Sequence, residues 1–338
     1  MNQPDAIAHL RQHFKTWKPN TINPDLQRDL KHGWLFPMLD LMESALWSRW
    51  DYWALATFYN ELPNCPIPQI EFECGGNKLG ESFGHKHLQK CLDLIPKHGG
   101  WEGYSSEKYI EYFFDWLLYG FGYAGQPELP KEPSGCEGAS IRLYQYFNLG
   151  VLLVYPYDYW ADILAMQNIG KGSGFFPTPH TVCRMMAMMN NIQPTDSTFD
   201  PCVGTGRMLL ESSNYSLALH GQDLNLIVLK AALVNSFCYV PWMVRPFAFL
   251  SGGLLLGDSL SQETPKIVSD WYVPTKPKAE PTPEPEEIEP TPLEAVLMPM
   301  SQVPTHISVD AIAPIELLLR TTIDPDRKQE IIQQLLKT

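Results

Sequence analysis

Thr198-Phe199-Asp200-Pro201-Cys202-Val203-Gly204-Thr205-Gly206-Arg207-Met208-Leu209-Leu210 is the stretch that decides the fold. It reads as the end of a strand, an acidic turn, a glycine loop and the start of a helix. Such a loop lets backbone approach a ligand without side-chain obstruction. Three segments frame it. Phe175-Phe176-Pro177-Thr178-Pro179 lies upstream, and Gly221-Gln222-Asp223-Leu224-Asn225 and Gly257-Asp258-Ser259-Leu260 follow in order. Residues 181–190 read as a helix with Val182, Met185, Met186 and Met189 on one face. Residues 217–222 read as a strand, 226–237 as a strongly apolar helix, and 254–256 and 266–269 as short strands. Strands alternating with helices imply an α/β fold with a parallel sheet and right-handed crossovers.

The acids say what kind of ligand the loop suits. A dinucleotide enzyme would carry Gly-x-Gly-x-x-Gly with pyrophosphate at the helix N-terminus. Here Gly204 and Gly206 are present, but Leu209 stands at the third glycine position. Asp200 would also repel a phosphate. It suits a cationic ligand end, such as the amino group on the methionine moiety of S-adenosylmethionine (SAM). Asp223, at the end of the next strand, is placed to accept both ribose hydroxyl protons. Asp258, after the third strand, is placed to accept a hydrogen bond from the adenine amino group. Each acid taken singly also reads as a turn or helix-cap residue. Four motifs in the right order are what single out the SAM reading.

With those motifs in view, the sequence resembles the adenine-specific N6 DNA methylases, in the arrangement where cofactor motifs precede the catalytic one. It looks most like the modification subunits of type I restriction systems. The stretch from Phe175 to Val182 matches that family's Phe-x-Thr-Pro segment, residues 200–206 its Asp-Pro-x-x-Gly-Thr-Gly loop, and residues 257–260 its Gly-Asp-Ser-Leu element. The resemblance implies a SAM-methyltransferase, Rossmann-like sheet over residues 146–273. It also implies a cofactor set of Phe176, Thr178, Asp200, Pro201, Gly204, Gly206, Asp223, Leu224, Asp258 and Ser259.

The family's catalytic signature, Asn/Asp/Ser-Pro-Pro-aromatic on the fourth strand, occurs nowhere in this chain. In the family its polar residue and a proline carbonyl hold the target amine while the ring stacks on a flipped base. At the corresponding place stands Ile267-Val268-Ser269-Asp270-Trp271-Tyr272-Val273-Pro274. Asp270 is the candidate for the polar role, and Trp271 or Tyr272 for the aromatic one. The chain also enters a proline-rich stretch before a full seven-strand sheet is complete. It is similar in this to shortened N6-methylase-like proteins of mobile elements. Two readings follow. One is a DNA adenine N6-methyltransferase. The other is a catalytically degenerate SAM-binding scaffold or regulatory subunit of a restriction-modification or mobile-element system.

The remaining sequence sets the surroundings. Residues 1–145 are aromatic-rich and read as a helical domain. Trp34, Trp47, Trp50 and Trp53 sit at helical spacing, a second helix falls near 105–120, a third near 140–153, and a fourth begins near Tyr157. The tryptophans read as core more readily than as base-stacking platforms. Residues 274–305 are a Pro/Glu-rich linker that cannot bury a core. Residues 306–338 form a short helical tail whose apolar stripe, including Ile331, Ile332, Leu335 and Leu336, suits a protein partner. Net charge is −13, and no basic stripe exists, so DNA contact is expected to be weak or partner-assisted. Seven scattered cysteines suit a reducing cytoplasm. No signal peptide or membrane span is expected. Cys65, Cys74, His85, His87, Cys91 and His98 have no zinc-type spacing, so no metal is expected. Cys202 is expected to pack rather than react.

Overall fold

Three parallel strands carry the acidic turns: β1 (Ser197–Asp200), β2 (Ala218–Asp223) and β3 (Gly253–Leu256). A two-residue β4 (Lys266–Ile267) completes a sheet of order β1-β2-β3-β4 in the computed structural model. The structure describes residues 30–72, 82–97, 106–167, 169, 175–261 and 263–270. These lie in one compact unit within Met1–Thr275. Trp271, Tyr272, the linker and the helical tail fall outside the described residues, as do Cys74 and His98.

β4 departs from the all-parallel expectation. It runs antiparallel to β3, Leu255 opposite Ile267 and Leu256 opposite Lys266. A parallel neighbour needs a crossover of a dozen or more residues. Residues 257–265 are too few for one, so the chain folds straight back.

The helices before the sheet are α1 (Phe36–Leu46), α2 (Arg49–Tyr59), α3 (Phe83–Asp93), α4 (Ser106–Phe121), α5 (Ala139–Tyr146), α6 (Leu149–Val154), α7 (Tyr159–Met166) and α8 (His180–Met189). α9 (Arg207–Ser212) follows the glycine loop, α10 (Leu226–Tyr239) follows β2, and the one-turn α11 (Pro241–Val244) precedes β3. The expected third helix is two. Phe147 is extended, and the Asn148 side chain accepts from Gly150 N–H to start α6. The tryptophan stretch also divides, at Ser48 in the left-handed region (φ 62°).

α10 is mostly apolar and buried along all but Leu226 and Lys230. Its Phe237 ring stacks on Trp50 and on Phe121, so helices from the first half of the chain share one core with the sheet's own helices. Trp47, Trp50 and Trp53 are buried. Their indole N–H groups donate to the carbonyls of Leu153, Phe237 and Arg245. That leaves them core residues, with no ring face open to a base.

Two buried side chains, Glu43 and Arg49, fix the α1–α2 junction through hydrogen bonds. Glu43, fully buried, accepts from the backbone N–H of Arg49 and Trp50, both at 2.9 Å. Arg49 donates to Pro68 O, Ser213 Oγ, Tyr239 O and Asn214 Oδ1. Burial pushes the Glu43 carboxyl up to about 7, against the opposing pull of those amides and the Arg49 charge.

Candidate functional site

The C-terminal ends of the three parallel strands open onto a cavity of about 460 Å³. That is where ligands bind in open α/β sheets. The Phe175–Thr178 segment, the glycine loop, Asp223-Leu224 and the 257–260 segment all line it. Nine of the ten residues singled out for a cofactor are therefore on one wall system: Phe176, Thr178, Asp200, Pro201, Gly204, Asp223, Leu224, Asp258 and Ser259. Gly206 is the tenth. It sits behind the lining at the N-cap of α9 (φ 89°), where an added Cβ would lie 3.2 Å from Met243 Cε.

Each acid ties down its own turn. Asp200 Oδ1 accepts from Cys202 N–H at 3.0 Å, and Asp258 Oδ1 from Leu260 N–H at 2.9 Å. Asp223 accepts from Gly204 N–H (2.8 Å) through one oxygen and Asn225 N–H (2.9 Å) through the other. Among the described residues none of the three forms a salt bridge. Burial raises the Asp200 carboxyl above its ordinary range, the Cys202 amide opposes the shift, and the nearby Asp223 charge adds to it. The wall is thus electronegative without a counter-ion of its own. Gly204 lies in the left-handed region (φ 54°), and an added Cβ would stand 3.0 Å from the Phe175 ring. The loop and the Phe175 segment are in contact only because that Cβ is missing. Cys202 is exposed on this wall, not packed as expected.

Behind the loop lies a buried network that motif reading missed. Asp158, fully buried, caps α7 through Ala161 N–H and also accepts from Thr205 Oγ1 (2.6 Å), Arg207 Nε (3.0 Å) and Asn235 Nδ2 (2.9 Å). Arg207 also donates to Asp158 O, Thr178 O and Asp162 Oδ1 (2.8 Å). Asp162 further accepts from Tyr157 OH, with His85 Nε2 at 3.1 Å. Burial alone would raise the Asp162 carboxyl. The His85 hydrogen bond, the Arg207 charge and hydrogen bond, and Tyr157 OH bring it down to about 2. Arg207 lines the cavity, yet two carboxylates already neutralise it. The sequence signals were Asp158 as an N-cap before an apolar run and a lone arginine at the foot of the glycine loop.

Asp270 is placed elsewhere. Its side chain pairs with Arg245 (2.6 Å) and accepts from Ala124 N–H (3.1 Å), and it is not among the residues lining the cavity. His85 and His87 are likewise committed internally. His87 Nε2 accepts from Asn148 N–H at 3.0 Å, and burial pulls its imidazole down to about 4. Among the described residues no cluster of His, Cys, Asp and Glu is arranged to hold a metal, and no helix is long and apolar enough to cross a membrane.

Residues 155–238 match the family model described as N-6 DNA Methylase. The match supports assignment to the N6 adenine DNA methylase family. It spans Asp158, the Phe-Pro-Thr-Pro segment, the glycine loop, β2 and α10, and stops before Asp258 and Asp270. Neither the curated proteins nor the solved structures give a match.

Proposed function

We propose that the protein binds SAM in this cavity and serves N6-adenine methylation of DNA. The observation that carries the reading is the convergence of Asp200, Asp223 and Asp258 on one cavity, free of salt bridges among the described residues. A sulfonium cofactor with an ammonium group is a cation that such a wall favours electrostatically. Asp200 would hold the amino group, Asp223 the ribose hydroxyls and Asp258 the adenine amine. Phe176 and Thr178 would cover the methionine end, and Pro201, Gly204, Leu224 and Ser259 would shape the walls. Gly206 supports the loop from behind. When bound, SAM supplies an electrophilic methyl group. An adenine amine held in line with it would be the acceptor.

The second reading, a SAM-binding scaffold or regulatory subunit, is favoured by Asp270. Its carboxylate is occupied by Arg245 and Ala124, so it is not poised to accept from a base. In that reading methyl transfer needs residues from another chain. Calorimetric titration with SAM tests the shared claim. Micromolar binding by the wild type that is lost in Asp200→Ala and Asp223→Ala supports it, and no binding by the folded wild type refutes it. Transfer of labelled methyl to DNA then separates the readings. Transfer by wild type that is lost in Asp270→Asn, with SAM binding kept, supports the first. Binding without transfer supports the second.

A further inference from the structure

The buried network behind the glycine loop does not end at Asp162. It continues through His85 to Ser82, a half-buried residue at the start of α3. Ser82 Oγ is hydrogen-bonded to His85 Nδ1, and His85 Nε2 to Asp162 Oδ2 at 3.1 Å. Hydroxyl, imidazole and carboxylate thus stand in line, in the order of an acyl-transfer triad. None of the three lines the cavity. The protons fit that order. Burial opposes ionisation of Asp162, but the His85 hydrogen bond and Arg207 bring it down to about 2. A carboxylate only accepts, so His85 Nε2 carries a hydrogen, and in the neutral imidazole Nδ1 is then a bare acceptor. The His85 backbone N–H already donates to Ser82 Oγ at 3.1 Å, as a helix N-cap requires. The serine's own proton is left to point at Nδ1. A cap needs only the oxygen; the base behind it is additional.

The surroundings hold the pair in place. His85 is buried, its ring edge-on to Tyr157 and Tyr159 with centroids 5.6 and 5.0 Å away. Gly84 admits the Tyr159 ring, which an added Cβ would overlap. Tyr157 OH donates at 2.6 Å to the same Asp162 oxygen that meets His85. The first-turn amides of Phe83 and Gly84 have no acceptor among the described residues. They stand next to Ser82 at the positive end of the helix dipole, where an oxyanion would be stabilised. In sequence the segment is Gly80-Glu81-Ser82-Phe83-Gly84, the Gly-x-Ser-x-Gly form that sets a nucleophilic serine at the start of a helix. Ser82 is extended (φ −65°, ψ 153°) rather than strained, because its imidazole comes from the same helical turn. Phe83, 38% exposed, adds an apolar face beside it.

We propose that Ser82, His85 and Asp162 form a second, hydrolytic site that cleaves small carboxylic esters with an apolar acyl group. Ser82 is the nucleophile, His85 the general base and Asp162 the positioning residue. Ser82 Oγ attacks the ester carbonyl carbon while its proton passes to His85 Nδ1. The adduct collapses, and the leaving alcohol takes that proton. Water, giving a proton to the same nitrogen, then adds to the acyl-serine. The carboxylic acid departs, and the proton returns to Ser82 Oγ. The Phe83 and Gly84 amides carry the negative charge of each adduct. The proposal stands whether or not the cavity holds SAM.

The full chain is treated with a fluorophosphonate probe and mapped by mass spectrometry, and hydrolysis of p-nitrophenyl butyrate is followed in parallel. The expected result is one adduct per chain, on Ser82, with turnover lost as the adduct forms. Ser82→Asp keeps an N-cap oxygen without a nucleophile, so labelling and turnover should vanish while the unfolding curve is retained. His85→Gln should slow both at least ~100-fold, the scale of a general base. The mapping of the wild type needs no variant: absence of an adduct on Ser82 overturns the proposal, and so does turnover that survives complete labelling. Labelling or turnover that is unchanged in a folded His85→Gln protein overturns it as well, since Ser82 would then be a helix cap alone.

Discussion

Asp158→Ala is the sharpest test of how the glycine loop is held. The change strips Arg207 of one of its two carboxylates and leaves Thr205 Oγ1 and Ala161 N–H without this acceptor, while Asn235 Nδ2 keeps only its bond to Thr205 O, all in a buried region. Removing one member of a buried ion pair costs about 3–5 kcal/mol. Asp162 still holds Arg207, which moves the estimate to the lower part of that range. Loss of the α7 N-cap adds about 1 kcal/mol. The sum is about 4 kcal/mol. For a unit of this size each kcal/mol lowers the melting midpoint by about 2–4 °C, so a drop of about 8–16 °C is expected. Urea unfolding at neutral pH gives the free energy, and Thr205→Val, which deletes one hydrogen bond, should cost only about 1 kcal/mol. Combining Asp158→Ala with Arg207→Met should show coupling of about 1–3 kcal/mol, because the second change removes the stranded charge. A loss below about 1 kcal/mol in Asp158→Ala, or strict additivity with Arg207→Met, would refute the claim that this network anchors the loop.

Further outcomes follow from single residues. Gly204→Ala forces a left-handed backbone on an alanine, at about 1 kcal/mol, and pushes on the Phe175 ring, so stability should fall slightly and SAM affinity, read by calorimetry, more than ~10-fold. SAM binding should weaken on acidification from a pH above the ordinary aspartate range, because protonating Asp200 removes charge from the wall; Asp200→Asn should abolish that pH dependence. His87 is held neutral, so its contribution is present above pH ~6.5 and lost as pH falls through about 4, a span of about 3 kcal/mol. Glu43 has the opposite sign: its raised carboxyl favours folding below pH ~4.5, and that contribution is lost as pH rises through about 7. The two slopes oppose in the wild type. Unfolding free energies from pH 4 to 7.5 should therefore fall with pH in His87→Gln and rise with pH in Glu43→Gln, and parallel profiles in all three proteins would contradict both assignments.

The sequence alone determined the strand–loop–helix unit, its order along the chain and nine of the cavity's lining residues. Those features are local. A glycine at φ 54°, an aspartate closing its own turn and a strand length are set by neighbours a few residues away. The sequence also yielded most helix positions, because an apolar stripe survives in any window of about a dozen residues. It misplaced boundaries where a side-chain cap intervened, as at Asn148.

Tertiary structure decided everything that depends on distant partners. The methionine face of α8 looks like a core stripe in sequence. It became the outer face because α9 took the opposite side, leaving Cys183 and Ala187 inward. Asp270 was the sequence's candidate for a polar residue that would hold a base, but Arg245 and the Ala124 amide claim it away from the cavity. Asp158 reads as an ordinary helix cap, yet folding brings Thr205, Arg207 and Asn235 onto its carboxylate from 47 to 77 positions away. β4 was legible as a strand, whereas its antiparallel direction was set by the short return from β3. Local backbone preference is written in adjacent residues. The pairing of buried charges and the choice of which apolar face is covered are settled only when the whole chain competes for the same interior.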